Sequence, residues 1–279
     1  MKELFDKVSL RTSRMTTRAY STSFSLGISF LQKKFHDPIY AIYGFVRFAD
    51  EIVDTFHDFD KSSLLERFRA DTYQAIEEGI SLNPILNSFQ FVVNKYNIDH
   101  DLIETFLHSM EMDLHKSEYT SEDELKDYVL GSAEVVGLMC LKVFTEGDQA
   151  YYDRLKFTAM QLGSAFQKIN FLRDLHTDYM KLGRTYFPGL DVEQLDIDTK
   201  RSLEVEIEKE FANGYEGIKQ LPKGARFGVY VAYVYYFALF RKIQAMPPST
   251  ILSSRVRIPN RKKYTLLVGC YVRHSLNLI

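Results

Sequence analysis

Apolar residues recur at three- and four-residue intervals along almost the whole chain, a period that suits helices and leaves no pleated face for a sheet-based core. No two-residue alternation is sustained between turn residues, so an all-α fold is expected. Helix punctuation is readable at several points. Asp37-Pro38 precedes Ile39 to Phe56, Asp60-Lys-Ser-Ser precedes Leu64 to Glu78, and Asn83-Pro84 precedes Ile85 to Tyr96. Further starts are predicted at Asp99, Ser121 and Asp148, with capping-box spacing from Ser121 to Glu124. Gly183 is the expected stop of a long helix. After an acidic stretch from Asp191 to Glu210, helices are predicted over Asp198 to Gln220, over Lys223 to Ala245 and after Asn260, with Pro247-Pro248 separating the last two. The 279 residues show no repeat or low-complexity linker, so one domain over 1–279 is expected.

The apolar run from Gly228 to Phe240 is bounded by Arg226 and Arg241 and is well short of the roughly 20 residues a spanning helix needs, so it reads as a buried helix. The formal charge of −2 gives no global attraction for nucleic acid, and none is expected as a partner. Cys140 and Cys270 lie far apart with no CxxC, which argues against a disulfide scaffold and a structural zinc site and fits a reducing cytosol. The start, Met1-Lys-Glu-Leu-Phe-Asp, lacks the pattern of a secretory signal, so a cytoplasmic protein is expected. Arg255, Arg257, Arg261, Lys262 and Lys263 form the one marked charge run.

Two segments carry the chemistry. In Tyr43-Gly-Phe-Val-Arg47-Phe-Ala-Asp50-Glu51-Ile-Val-Asp54, helical geometry brings Tyr43, Arg47, Asp50 and Asp54 within an arc of about 60°, with Glu51 at its edge. In the second, running from Gln167 to Asp178, Gln167, Asn170, Asp174 and Asp178 fall within about 80°. Spacing alone is weak: with acidic residues at about 13% of the chain, roughly five acid-x-x-x-acid pairs arise by chance. The neighbours decide. Phe45, Val46, Ile52 and Val53 around the first stripe, and Ala165, Phe166, Ile169 and Leu172 around the second, mark helices that are mostly buried. Buried unpaired carboxylates are costly, so two such stripes are best explained if they face each other and share divalent cations. Magnesium prefers carboxylate, water and phosphate oxygens and bridges to substrate phosphates, which implies a diphosphate substrate. Manganese is the natural substitute. The Glu-x-x-His pairs of a di-iron bundle are not supplied here.

Asp50-Glu-Ile-Val-Asp54 resembles the first aspartate-rich motif of the squalene/phytoene synthase family. Asn170-Phe-Leu-Arg173-Asp174-Leu-His-Thr-Asp178, with Arg184-Thr-Tyr186-Phe-Pro188, resembles its second. The likeness runs from Tyr20-Ser21-Thr-Ser-Phe24 to Arg255 and includes Met112-Asp113-Leu114 and Tyr128. Departures lie in Tyr128-Val-Leu-Gly-Ser-Ala-Glu134-Val-Val-Gly137, where the family's second tyrosine is lost and Glu134 replaces a glycine.

The resemblance implies an all-α, isoprenoid-synthase-type bundle around a central cavity, in which two prenyl diphosphates join head to head through a cyclopropyl intermediate. Asp50, Glu51, Asp54, Asn170, Asp174 and Asp178 would hold the metal. Arg47, Arg173, Arg184 and Arg255 would clamp phosphate, because guanidinium offers a rigid fork of donors. Ser21, Phe24, Tyr43, Gln167 and Tyr236 are expected to bind substrate, with Phe166 as a further wall, and Tyr128 to act near the reacting ends. Glu51 at the second acid of the first motif favours the phytoene branch, on a twenty-carbon substrate. The alternatives are squalene or dehydrosqualene formation on a fifteen-carbon substrate, with NADPH needed only for squalene, and a non-catalytic relative. A long hydrocarbon product further implies peripheral membrane association, at the inner face, through an apolar surface or the basic patch near the C-terminus.

Overall fold

Both acid-bearing segments are helices in the computed structural model of the chain, which describes residues 1–189, 196–253 and 255–276. In chain order the helices are α1 (Lys2–Tyr20), α2 (Thr22–Ser29), α3 (Lys33–Asp54), α4 (Lys61–Glu78), α5 (Pro84–Tyr96), α6 (His100–His115) and α7 (Glu122–Val129). A π-turn over Leu130–Glu134 then leads into α8 (Val135–Phe144), followed by α9 (Gln149–Leu182), α10 (Ile197–Gln220), α11 (Lys223–Gln244), α12 (Pro248–Ile251) and α13 (Asn260–Ser275). No strand occurs among the described residues, only one isolated bridge between Glu118 and Thr185.

The expected caps hold at Asp60, Asn83, Ser121 and Asp148, whose side chains each accept from a backbone N–H of the first turn. Asp99 stands at the N-cap position without a side-chain bond. At Ser121 the box closes one residue early: the Glu124 carboxylate accepts from the Thr120 N–H at 2.9 Å. Asp37-Pro38 is not a helix start. Helix α3 begins at Lys33, and Pro38 lies buried inside it, giving up one backbone bond to pack its ring in the core. Similarly, Pro247-Pro248 begins the short α12 rather than only separating two helices. The beginning of the acidic stretch, residues 191–195, lies outside the described residues.

Two apolar cores flank the acid stripes. The first gathers side chains of α2 to α6, α8 and the start of α9. The second gathers α7, the rest of α9, α10, the end of α11 and α12. Helix α3 is fixed from behind, where Phe45 is fully buried between Phe89, stacked at 3.9 Å, and Phe68, at 5.5 Å. Burying a side chain of that size stabilises by about 1.5–3 kcal/mol. The 34 residues of α9 are anchored likewise by Ala165, Ile169, Leu172 and Leu175, each 0% exposed. With the backs of both helices held, their opposite faces, carrying Tyr43, Arg47, Asp50, Asp54, Gln167, Asn170, Asp174 and Asp178, remain half-buried between the cores.

Close approach of α2 to α11 completes the frame. A Cβ on Gly228 would meet the Gly27 carbonyl at 2.7 Å, so only glycine lets these backbones come together. That contact brings Phe24 of α2 against Tyr43, rings stacked at 4.8 Å, beside the helix that carries Tyr236.

Candidate active site

The C-terminus of α9 sets the first part of the geometry. Gly183 caps it in the left-handed conformation at φ 63°, which turns the chain back along the helix end. The Thr185 N–H then bonds the Ser117 carbonyl at 2.9 Å, so Arg184 is aimed inward. Its guanidinium donates to Asp54 Oδ1 at 2.8 Å and to the Asp113 carbonyl at 2.8 Å, and lies 3.7 Å from Asp113 Oδ1. Burial works against that positive charge, but Asp113, Tyr186 and Asp54 more than offset it, so the pKa of Arg184 is raised. Arg184 therefore ties the first acid helix to the end of the second.

Asp50, Glu51 and Asp174 also meet an arginine. Arg47 pairs with Asp50 and Glu51 on its own helix and lies 4.3 Å from the ring centroid of Tyr20. Arg173, about 100° round the helix from the centre of the stripe, bends back to Asp174. Arg255 Nε comes 2.6 Å from Asp174 Oδ1, off hydrogen-bonding angle, so that buried oxygen keeps a free lone pair. The four predicted guanidiniums thus gather at three of the four aspartates, Asp50, Asp54 and Asp174.

The carboxylates repel one another. Asp178 is pushed up to about 7, by burial first and then by the charges of Asp174 and Asp54. Asp50, a third of its side chain exposed, is pushed up to about 6 by partial burial and by Asp54. Asp54 on α3 and Asp178 on α9 therefore feel each other's charge, the confrontation the stripes imply. Among the described residues no three acidic, histidine or cysteine side chains converge tightly enough to enclose an ion alone. The donor set nevertheless fits a magnesium shared with a substrate: all-oxygen ligands, a spare lone pair on Asp174, and mutual repulsion that a cation would relieve.

An aromatic wall adjoins the carboxylates. Phe166 stacks on Tyr236 at 4.0 Å, and the Tyr236 hydroxyl donates to Asn170 Oδ1 at 3.2 Å. Asn170 in turn donates to Gln167 at 3.3 Å, and Gln167 to Ser132 of the π-turn at 3.3 Å. The Ser21 hydroxyl, N-cap of α2, lies beside Tyr43. Burial raises the pKa of both Tyr43 and Tyr236, so both stay neutral phenols.

Tyr128, expected to act near the reacting ends, is placed apart from the substrate-binding side chains. It is buried among Tyr119, Phe171 and Tyr186, and its hydroxyl donates to Asp113 Oδ2 at 2.9 Å, behind Arg184. Asp113 received no role from sequence, yet it holds both Tyr128 and Arg184, and burial pushes it up to about 7. The available signal was a carboxylate among Phe106, Ser109 and Met110 on the buried face of α6.

A second buried ionic group was also missed. Lys168 of α9 pairs with Glu206 at 2.6 Å and Glu210 at 2.5 Å on α10, and Ser164 donates to Glu210 at 2.8 Å. Glu134, at the end of the π-turn, is pushed from 4.5 to about 7 by burial and then by Glu210. Between those values the folded chain holds more protons than the unfolded one, so this residue's contribution to stability falls as pH rises through that window. Glu134→Gln has no proton to lose. Thermal melts are expected to show the variant gaining on the wild type between pH 5 and pH 8, and an equal difference at both would show that Glu134 ionises normally.

The model of the family described as squalene/phytoene synthase matches residues 17–262. Phytoene synthase 3 of Zea mays, chloroplastic, is 27% identical over 274 residues, covering 92% of this chain and 64% of the maize protein. Thus the chain spans just under two thirds of that relative. The phytoene synthase of Arthrospira platensis is 26% identical over 281 residues, covering 91% of this chain and 89% of its own. A crystal structure of a dehydrosqualene synthase in complex with ligand superposes with a TM-score of 0.81 at 20% identity, covering 97% of this chain and 98% of the other, a likeness of fold. With the match spanning nearly the whole chain and both acid stripes inside it, the chain belongs to the squalene/phytoene synthase family.

Proposed function

We propose that this chain joins two prenyl diphosphates head to head, as a prenyltransferase, and that its product is the conjugated triene of phytoene. The observation that carries this reading is the approach of Asp54 on α3 to Asp178 on α9, with Asp50 and Asp174 one turn away on the same helices and Arg47, Arg173, Arg184 and Arg255 paired among them, beside an aromatic wall. Overall, two diphosphates and two protons leave, and no reductant is consumed.

Asp50, Asp54, Asp174 and Asp178, with Glu51 and Asn170 at the edges, would hold magnesium. When bound, that ion supplies a positive charge against which a diphosphate can depart. Arg47, Arg173, Arg184 and Arg255, now committed to carboxylates, are placed to exchange those partners for phosphate oxygens as substrate enters. Gln167, Asn170 and Tyr236 form a hydrogen-bonded chain that fixes the two amides beside the carboxylates. Phe24, Tyr43, Phe166 and Tyr236 exclude water and present ring faces to an allylic cation, and the neutral phenols of Tyr43 and Tyr236 are poor nucleophiles toward it.

The phytoene synthase relatives support a twenty-carbon substrate. The expected result is that purified protein with Mg²⁺ converts geranylgeranyl diphosphate to phytoene with diphosphate release, identified by product mass, and that NADPH changes nothing. A product from farnesyl diphosphate alone would move the assignment to the fifteen-carbon branch. Turnover of neither substrate would leave a binding or assembly role.

A further inference from the structure

Helix α13 has two apolar faces. Its inner face, with Leu266, Leu267 and Cys270, closes over a small cavity against Leu26, Val231 and Tyr235. Lys263 secures it there, donating to Ser23 at 3.3 Å and lying 5.1 Å from the Tyr235 ring centroid. The outer face should then be polar, yet it carries Tyr264 at 69% exposure, Val268 at 64%, Tyr271 at 62% and Val272 at 49%. At helical spacing those four side chains share an arc of about 100°. Leu276, 64% exposed, extends the strip just past the helix end.

Charge distinguishes this strip from an ordinary exposed patch. No Asp or Glu occurs after Glu216, whereas 11 of the 35 Lys and Arg do. Residues 217–279 therefore carry +11 and residues 1–216 carry −13, against −2 for the whole chain. Arg257, Arg261 and Lys262, at the entrance to α13, are all exposed. The neighbouring cations that do form ion pairs, Arg241 with Glu208 and Arg255 with Asp174, lie off this helix.

We infer that the outer face of α13 docks on an anionic lipid surface. The Tyr and Val strip would sit at the boundary of headgroups and acyl chains, and Arg261 and Lys262 would meet lipid phosphates. An amphipathic helix lying in the interface needs this combination: an apolar arc, aromatic residues suited to the boundary, and cations beside them. A second copy fits worse. A two-fold contact through α13 would set Arg261 and Lys262 of both copies against each other with no carboxylate on the patch to separate them. No described helix is long and apolar enough to cross a membrane, so attachment through this surface would be peripheral.

Co-sedimentation of the full chain with vesicles reads this without turnover, so its outcome is independent of the prenyl diphosphate reading. Vesicles with about one third phosphatidylglycerol are expected to bind at least about tenfold more tightly than pure phosphatidylcholine, with most of that binding lost in 0.5 M salt. Val268→Asp/Val272→Asp and, separately, Arg261→Glu/Lys262→Glu should each weaken binding at least about tenfold with unchanged melting temperature. Arg11→Glu/Arg18→Glu, on the exposed basic face of α1, should have little effect. Equal binding to both vesicle types, or indifference to both α13 variants, would overturn the inference. So would loss of binding through the α1 variant, or a dimer that Val268→Asp/Val272→Asp dissolves in a chain that ignores vesicles.

Discussion

Asp174→Asn is expected to lower kcat on the diphosphate substrate by about a thousandfold or more while leaving the helical signal and melting temperature close to wild type. The residue sits where both demands meet. Its carboxylate takes Arg173 and Arg255 as partners, keeps a lone pair free on Oδ1, and lies one helical turn before Asp178. Loss of a single group aimed at developing charge costs about 10²–10³ in rate. Here the group would also hold the ion that makes departure of the diphosphate feasible, which puts the loss at the upper end or beyond. Folding asks less of it. An amide accepts from the same arginines and relieves the repulsion on Asp178, whose pKa is raised partly by Asp174 itself. Asp50→Asn should behave alike, because Asp50 is raised partly by Asp54. Turnover and thermal melts of both variants, with and without Mg²⁺, check this. The wild type should gain melting temperature on adding Mg²⁺ and the Asp174→Asn variant should gain much less; near-normal activity in both variants would remove the metal from this site.

The stripes were legible in sequence because helices make spacing into geometry. Once Phe45 and Val53 are recognised as core, Asp50 and Asp54 have only the opposite face to occupy, and both helices bear this out. The same holds for Gly183, whose missing Cβ marks the stop of α9. What sequence could not place were contacts between distant segments. Arg173 lies off the stripe, about 100° from its centre by angle, but its long side chain wraps to Asp174. Asp113 reads as one more acid on α6 until the fold brings Tyr128 and Arg184 to it from 15 and 71 residues away. Pro38 misled for a related reason: a proline usually marks a helix start, and tertiary packing overrode that tendency. Glu134 stood out as a departure in sequence, while its consequence depends on Lys168 and Glu210 across two other helices.

Arg184→Ala is expected to be the most destabilising single change at the site. The side chain is 8% exposed and is the only group shown bonding both Asp54 and the Asp113 carbonyl among the described residues. Removing it strands Asp113, 4% exposed at its side chain, with a carboxylate whose Oδ1 already lacks a hydrogen bond. Breaking a buried pair from one side costs about 3–5 kcal/mol, because the remaining charge must either stay ionised without compensation or take up a proton. At this chain length that corresponds to a fall in melting temperature on the order of 10 °C. Asp113 has the second course open, since its pKa is already raised to about 7 and Arg184 is what holds it down. The loss should therefore be larger at pH 8.5 than at pH 6, where a proton substitutes for the guanidinium. Adding Asp113→Asn to Arg184→Ala should recover part of the stability, because the stranded charge is gone and Tyr128 still has an oxygen to donate to. It should recover none of the activity, since Asp54 and the incoming phosphate would both still lack their cation. Paired melts and turnover measurements on the single and double variants separate the two roles. If the double variant melts no higher than Arg184→Ala at pH 8.5, the penalty does not arise from the Asp113 charge.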